Sequence, residues 1–265
     1  MKYIQSKNNI KFKSIKKLLT KPKSRKNANE FILEGVNEIL LCFEAKYDFK
    51  ELFICSEIIS QKNLINLNKN LAKIEKIDLS KNLYNQISYK KKGEGVLALV
   101  KSKEFKLNDL ILPKNPFILV IESPEKPGNI GALLRTADAA GMDAVVIANP
   151  KTEIYNPNII NSSLGSIFTL QIGVGSTKEV IDFLLKNKIK IYSTFVKDSV
   201  DYLKVKYSKA CAVVIGTESN SLTNVWKSPT TELIKIPMKG KMDSLNLSVS
   251  AAIVIFEVLK QRNAI

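Results

Sequence analysis

The chain has 265 residues, of which 45% are hydrophobic and 25% charged, a composition typical of a globular protein with room for two modest domains. It contains no histidine, which excludes a histidine-based triad or metal site. Its three cysteines lack CxxC spacing, so neither a disulfide framework nor a thiolate zinc site is expected. Its formal net charge of +16 favours a polyanionic partner.

The location of the protein is predicted from what the sequence lacks. No run approaches the roughly 18 uncharged apolar residues that a membrane span needs. The chain before Glu30 is basic and polar, without the apolar core of a signal peptide. We therefore expect a soluble, cytoplasmic protein with no membrane partner.

Positive charge is concentrated at the front of the chain. Residues 1–110 hold 23 Lys and Arg against 12 Asp and Glu, whereas residues 111–265 hold 18 against 13. Such a stretch suits contacts with the phosphates of a nucleic acid, although a composition that puts Lys wherever solvent allows gives the same pattern. The candidate residues for these contacts are Lys11, Lys13, Lys16, Lys17, Lys21, Lys23, Arg25 and Lys26.

Residues 1–100 are predicted to form a small α/β domain. Apolar residues at helical spacing between Phe12 and Leu19 indicate an amphipathic helix that ends near Pro22. Short apolar runs predict strands at 31–33, 52–55, 74–77 and 95–100. Residues 101–116, which are polar and end in two prolines, are predicted to be a linker.

Residues 117–265 are predicted to form a second α/β domain, because apolar strands alternate with helical patterns. The predicted strands are 117–122, 144–148, 168–172, 190–196, 211–216 and 233–238. The predicted helices are 130–140, 156–164, 178–187 and 247–262. Continuous apolar runs favour parallel strands buried on both faces, with the functional loops at their carboxyl ends.

Three loops at the carboxyl ends of predicted strands carry polar residues. The first leads into a helix with Asn129 and Arg135, and Arg135 is noteworthy because the chain has only three arginines beside 38 lysines. An ion pair with Asp138 one turn along would also account for it. The second loop places Glu218 just after an apolar strand, where a solvated loop acid is the alternative.

The third loop runs from Ile236 to the start of the last helix. Ser244 and Asn246 stand at the mouth of that helix, where a Ser or Asn side chain can accept a hydrogen bond from the first backbone N–H groups. They are therefore either helix caps or part of a pocket for a small polar ligand, and the two roles are compatible.

These loops resemble the three motifs of the SpoU/TrmH branch of the SPOUT RNA methyltransferases. The matching residues are Asn129, Gly131, Arg135 and Ala137, then Gly216 and Glu218, and finally Ile236, Pro237, Met238, Gly240, Ser244, Leu245, Asn246 and Ser248. The resemblance covers residues 117–262, and residues 31–40 are similar to the start of a ribosomal-protein-like RNA-binding domain that many members carry. The chain departs from the family at Ser221, where Gly is usual, and at Asn161, where many relatives have Arg.

The resemblance implies an enzyme that transfers a methyl group from S-adenosylmethionine to a ribose 2′-hydroxyl of RNA. It also implies a homodimer, and a C-terminal region threaded into a deep trefoil knot, which general topology rules would not predict. The implied catalytic residues are Asn129, Arg135, Glu218, Ser244 and Asn246. The residues implied to surround the cofactor are Thr194, Gly216, Ile236, Met238, Leu245 and Ser250.

The substrate is expected to be ribosomal RNA, because the N-terminal extension is similar to that of rRNA-modifying members. Transfer RNA is the alternative substrate. A non-catalytic RNA-binding or ribosome-assembly protein that keeps the fold is the alternative function.

Overall fold

The computed structural model describes residues 2–90, 92–216, 222–241 and 244–262, and the chain divides into two units. The first unit comprises residues 1–104 and 153–169, and the second comprises residues 105–152 and 170–265. The sequence pattern places residues 153–169 in the C-terminal domain, whereas in the structure they pack within the first unit.

Twelve strands and ten α-helices are assigned within the described residues. The strands are β1 (Lys2–Ile4), β2 (Glu30–Glu34), β3 (Phe49–Ile54), β4 (Glu75–Leu79), β5 (Val96–Lys101), β6 (Phe117–Glu122), β7 (Ala144–Ala148), β8 (Ile172–Gly175), β9 (Lys190–Thr194), β10 (Val200–Asp201), β11 (Cys211–Ile215) and β12 (Thr231–Lys235). The helices are α1 (Ile10–Thr20), α2 (Pro22–Ala28), α3 (Val36–Glu44), α4 (Gln61–Leu71), α5 (Lys81–Ile87), α6 (Pro127–Ala139), α7 (Pro157–Ser163), α8 (Ser166–Thr169), α9 (Thr177–Lys186) and α10 (Leu247–Gln261).

The first unit is built on a five-stranded mixed sheet in the order β1-β4-β3-β5-β2. Strand β4 runs parallel to β1 and β3, whereas β5 runs antiparallel to β2 and β3. Helix α1 buries Phe12, Ile15 and Leu18, so the predicted amphipathic helix is confirmed. Pro22 is the first residue of α2, a position that suits proline because the first helical N–H has no partner within the helix.

Residues 153–169 supply aromatic side chains to the core of the first unit. The Tyr155 ring stacks on Phe31 with 4.4 Å between centroids, and Phe168 meets the Tyr47 ring edge-on at 5.4 Å. The Tyr155 hydroxyl also accepts a hydrogen bond from the Lys103 backbone N–H at 2.9 Å, and burial raises the Tyr155 pKa. Aromatic pairs of this kind add specific geometry to the burial of apolar area.

A glycine allows the same segment to approach helix α3 closely. Gly165 has a φ of +92°, and a Cβ atom there would lie 2.5 Å from the Leu41 Cδ1 atom. Any other residue would combine backbone strain with a steric clash. The close approach lets α8 pack against α3 within the first unit.

The second unit is built on a seven-stranded sheet in the order β10-β12-β9-β11-β6-β7-β8. All six pairings are parallel, which confirms the predicted parallel α/β fold. The predicted strand at 168–172 is wrong, since Ser166–Thr169 form α8 and β8 begins only at Ile172. A short apolar run is compatible with either a buried helix or a buried strand, and the sequence pattern does not separate the two.

Among the helices of the described residues, none has the length and apolarity needed to cross a membrane.

Candidate active site at the carboxyl edge of the second sheet

Four adjacent strands, β12, β9, β11 and β6, bring the predicted loops to one edge of the sheet. Thr194 is the last residue of β9, Gly216 follows β11, Ile236 follows β12, and Glu122 is the last residue of β6. The parallel register places Thr194 opposite Ile234 and Ile215 opposite Ile121. The three predicted loops therefore leave the sheet side by side, as parallel topology requires.

Helix α6 carries the residues of the first loop. Pro127 occupies its first turn, Gly131 is buried, Asn129 is half-buried and Arg135 is exposed. Helix α6 packs against α10, the helix that follows the third loop. The fold therefore joins the helices of the first and third loops, which lie more than 100 residues apart in the sequence.

The third loop ends in a side-chain cap. The Asn246 side-chain oxygen accepts hydrogen bonds from the Ser248 backbone N–H at 2.9 Å and from the Ser248 hydroxyl at 2.7 Å. The cap that the sequence suggests is therefore present at Asn246. Ser244 is exposed just before it.

The candidate cofactor residues differ in exposure. The half-buried Thr194 hydroxyl donates to the Val214 carbonyl at 3.1 Å, which ties the ends of β9 and β11 together. Met238 and Leu245 are 37% and 40% exposed. Gly216 is buried, whereas Ile236 and Ser250 are half-buried. Glu218 and Ser221 lie outside the described residues.

A buried glutamate, which the sequence patterns did not identify, accepts hydrogen bonds from several of the loops at this edge of the sheet. Glu122 is only 3% exposed, and its carboxylate accepts hydrogen bonds from the Thr177 hydroxyl at 2.8 Å, the Trp226 indole N–H at 3.1 Å and the Ser123 hydroxyl at 3.2 Å. Thr177 in turn accepts from the Asn149 amide. One carboxylate thus links the loops after β6, β7, β8 and β11. The sequence feature that could have identified Glu122 is its position as a carboxylate at the end of a continuous apolar strand.

The basic helices α1 and α2 belong to the first unit, and most of their candidate RNA-binding lysines are exposed. The exposed residues are Lys13, Lys16, Lys17, Lys21, Lys23 and Lys26. Lys11 is half-buried and pairs with Glu51. These side chains leave a basic surface on α1 and α2.

Arg25 is a correction to the predicted RNA-binding set. It is 3% exposed, and its guanidinium donates to the Glu153 carboxylate and to the Leu18 carbonyl. Burial raises the pKa of Glu153, an effect that the neighbouring Arg25 charge opposes. Arg25 therefore holds residues 153–169 to α1 and α2 instead of facing an RNA partner.

All three cysteines are buried as free thiols. Burial raises the pKa of Cys211 to about 11, with the Arg262 guanidinium acting in the opposite direction. In the ranges that the structure describes, no group of three or more Cys, Asp or Glu side chains is placed to hold a metal ion.

Comparison with known proteins gives matches over both units. Residues 116–256 match the family model of the SpoU rRNA methylases, and residues 9–98 match that of an MRM3-like substrate-binding domain. The 23S rRNA (guanosine(2553)-2′-O)-methyltransferase RlmP of Bacillus subtilis is 28% identical over 97% of this chain and 99% of its own length.

Solved structures agree with the family models. A crystal structure described as an RNA 2′-O ribose methyltransferase superposes with a TM-score of 0.86 at 30% identity, covering 98% of this chain and 99% of that one. The SpoU methyltransferase AviRb of Streptomyces viridochromogenes, in complex with the cofactor AdoMet, gives 0.86 at 26% identity over 97% and 100% of the two chains. The chain therefore belongs to the SpoU rRNA methylase family.

Proposed function

We propose that the protein is an S-adenosylmethionine-dependent methyltransferase that modifies a ribose 2′-hydroxyl in 23S ribosomal RNA. The observation that carries the proposal is the match along both units to relatives named as 23S rRNA 2′-O-methyltransferases. A match limited to the second unit would support the chemistry without its substrate. The loops that follow the strands at the sheet edge carry the residues proposed for this chemistry.

The residues at this edge fit a nucleoside cofactor. Gly216, at the end of β11, has no side chain to obstruct a ligand, and Met238 and Leu245 present partly exposed apolar surface. Leu245 directly precedes the N-terminus of α10, where the first backbone N–H groups favour negative charge. When bound, S-adenosylmethionine supplies the methyl group.

The protein's part in the reaction is positioning and electrostatic stabilisation. Arg135 is exposed on α6 and carries a permanent charge, so it can orient the ribose hydroxyl and an adjacent phosphate and stabilise developing negative charge on the oxygen. Asn129 and Ser244 supply polar groups from neighbouring elements. Asn246 fixes the start of α10, and Glu218 is included in the catalytic set on its motif alone.

Ribosomal RNA is the preferred substrate over transfer RNA because the relatives matched along the whole chain act on 23S rRNA by name. Exposed Arg135 and the capping Asn246, both at family positions, favour an active enzyme over an assembly protein that keeps only the fold. The six exposed lysines of α1 and α2 are proposed to contact RNA phosphates. A cytoplasmic location goes with a ribosomal substrate.

Homodimerisation is proposed from a second apolar face on α10. The core face of this helix buries Ala251, Val254, Ile255, Val258 and Leu259. The opposite stripe leaves Val249 46% exposed and Phe256 42% exposed. A helix that is apolar on two faces favours burial of the second face by another chain. The trefoil threading of the C-terminal region remains part of the proposal.

The activity is tested by substituting Arg135 with Lys. The substitution keeps the charge but loses the planar fork, so we expect methyl transfer to 23S rRNA to fall by at least about 100-fold with cofactor affinity nearly unchanged. Tritiated-methyl incorporation and titration calorimetry measure the two quantities. The matched control is Arg262→Lys, the same change at an arginine outside the site.

Wild-type incorporation by Arg135→Lys would refute the role of Arg135. Failure of the unmodified protein to bind S-adenosylmethionine would refute the enzyme itself. Mapping 2′-O-methyl groups in total RNA from a deletion strain and its parent then identifies the nucleotide, and an unchanged rRNA map would exclude rRNA as the substrate.

A further inference from the structure

A cavity of about 360 Å³ lies in the first unit, where the α1–α2 corner meets the residues after α5 and the start of α7. Its volume is within the range of small-ligand sites. Its walls combine a lysine, a tyrosine and several amides with the apolar surface of Leu19, Pro22 and Ile87. None of the predicted loops contributes to it.

Tyr89 is the aromatic wall of this cavity. The residue is 55% exposed and lines the cavity. An exposed tyrosine by itself needs no explanation. What distinguishes Tyr89 is that its backbone is held in place by buried groups.

Glu34, at the end of β2, holds the segment that carries Tyr89. Its carboxylate is 3% exposed and accepts hydrogen bonds from the Tyr89 backbone N–H at 2.7 Å, the Lys90 backbone N–H at 3.3 Å and the Ser88 hydroxyl at 2.5 Å. Burying a charge is costly unless it is fully hydrogen-bonded, so this carboxylate fixes the loop strongly. The Tyr89 hydroxyl also donates to the Asn158 side-chain oxygen, which sets the ring at the mouth of the cavity.

The charge around the cavity favours a phosphate-bearing ligand. Lys16 lines it directly, whereas the Lys90 ammonium next to the tyrosine is paired with the Glu38 carboxylate at 2.7 Å. The Arg25 guanidinium beneath is already neutralised by Glu153, so Lys16 is the cation that lines the cavity and is exposed. Amides of Gln86, Asn156 and Asn158 at the wall match the hydrogen-bonding edges of a nucleobase.

We propose that this cavity binds one unpaired nucleotide of the RNA, with the base stacked on Tyr89 and its phosphate on Lys16. The inference rests on the proposed function for its RNA partner and deepens it, because it assigns a base-binding site to the substrate-binding unit. A stacking ring set in a basic, concave site is the usual means of holding single-stranded nucleotides. Paired bases in a duplex cannot reach the ring, so the site selects RNA with an unpaired base.

The test measures binding of a fluorescein-labelled, mixed-sequence 12-nucleotide RNA, single-stranded or annealed to its complement. Tyr89→Ala is expected to weaken single-strand binding about 5- to 100-fold, as loss of one stacked base does. Tyr89→Phe keeps the ring and should stay within about threefold of wild type. Duplex affinity should be the same in all of these proteins.

Tyr3→Ala is the matched control, since Tyr3 is 56% exposed in the same unit and does not line the cavity. Equal weakening by Tyr3→Ala and Tyr89→Ala would overturn the proposal, and so would wild-type single-strand binding by Tyr89→Ala. Photocrosslinking of unmodified protein to a 5-iodouridine RNA gives a second measurement that does not depend on a folded variant. Crosslinks at Tyr89 support the proposal, and crosslinks that map only outside the cavity overturn it.

Calorimetry with S-adenosylmethionine separates the two levels of the inference. Normal cofactor binding with Tyr89-independent RNA binding refutes the cavity and leaves the enzyme standing. Absent cofactor binding with Tyr89-dependent RNA binding refutes the enzyme and leaves the cavity standing.

Discussion

Trp226→Phe should destabilise the protein by more than its small change in size suggests. Trp226 is fully buried, and its indole N–H donates to the buried Glu122 carboxylate at 3.1 Å. Phenylalanine removes that donor and leaves the charge with the hydroxyls of Thr177 and Ser123. Since Trp226 lies on a 3-10 helix, Asn224–Trp226, shortly after Gly216, the loss also loosens one anchor of the loop that follows β11.

The magnitude follows from two separate losses. A hydrogen bond to a charged group contributes about 1.5–3 kcal/mol. Replacing indole by phenyl leaves a space that, at about 24 cal/mol per Å³ and roughly 40 Å³, costs about 1 kcal/mol more. We therefore expect a loss of about 2.5–4 kcal/mol, which corresponds to a Tm lower by roughly 5–16 °C.

Thermal unfolding followed by far-ultraviolet circular dichroism measures this effect without using tryptophan fluorescence. A double-mutant cycle with Glu122→Gln separates the hydrogen bond from the loss of packing. We expect a coupling energy of about 1–2 kcal/mol between the two positions. Additive effects within about 0.5 kcal/mol would show that Glu122 does not depend on the indole donor, and the anchoring role would fall.

Three further outcomes follow from other groups. Asn246→Ala removes the α10 cap and should lower the free energy of unfolding, measured with urea, by about 1 kcal/mol. It should also weaken S-adenosylmethionine binding in calorimetry, and no change in either measurement would contradict its double role. Thiol titration with Ellman's reagent at pH 8 should find no reactive cysteine in the native protein and three in guanidinium chloride. The reason is that all three cysteines are buried and burial raises the pKa of Cys211 to about 11. A thiol that reacts quickly in the native protein would contradict this burial. Burial raises the pKa of Tyr47 to about 12, so the stability that its neutral form contributes is present below pH 10 and is lost as the pH rises through 12. A Tyr47→Phe variant should therefore lose less stability than the wild type between pH 10 and 12. Equal losses in the two proteins would contradict this contribution of Tyr47.

The location of the site could be predicted because two independent patterns agree. Continuous apolar runs predict parallel strands, and parallel strands present their following loops at one edge. The scarcity of arginine singles out Arg135, and the helix predicted over 130–140 corresponds to α6, which carries it. The polar residues of the loops and the parallel strands together therefore predict where the candidate site lies in the second unit.

The roles of Arg25 and Glu122 could not be predicted, because each depends on contacts distant in the sequence. The partner of Arg25 is Glu153, and a basic stretch contains no sign that one of its charges is buried. A carboxylate at a strand end is usually solvated. The donors that bury Glu122 come from residues 177 and 226.

The assignment of residues 153–169 failed for a similar reason. Hydrophobic periodicity indicates which side chains of an element face a core, but it does not indicate which core they face. Their partners, Phe31 and Tyr47, lie more than 100 residues earlier. The order of elements along the chain placed the segment in the wrong unit.

The contribution of residues 153–169 to the first unit sets the order of events during synthesis. When residue 104 has been made, Phe31 still lacks the Tyr155 ring, and the buried Arg25 lacks its carboxylate. A further 65 residues, roughly 3–13 s of translation, must be added before these partners exist. Over that interval the first unit cannot complete its aromatic core or neutralise its buried guanidinium, so its folding is completed only after part of the second unit has been synthesised.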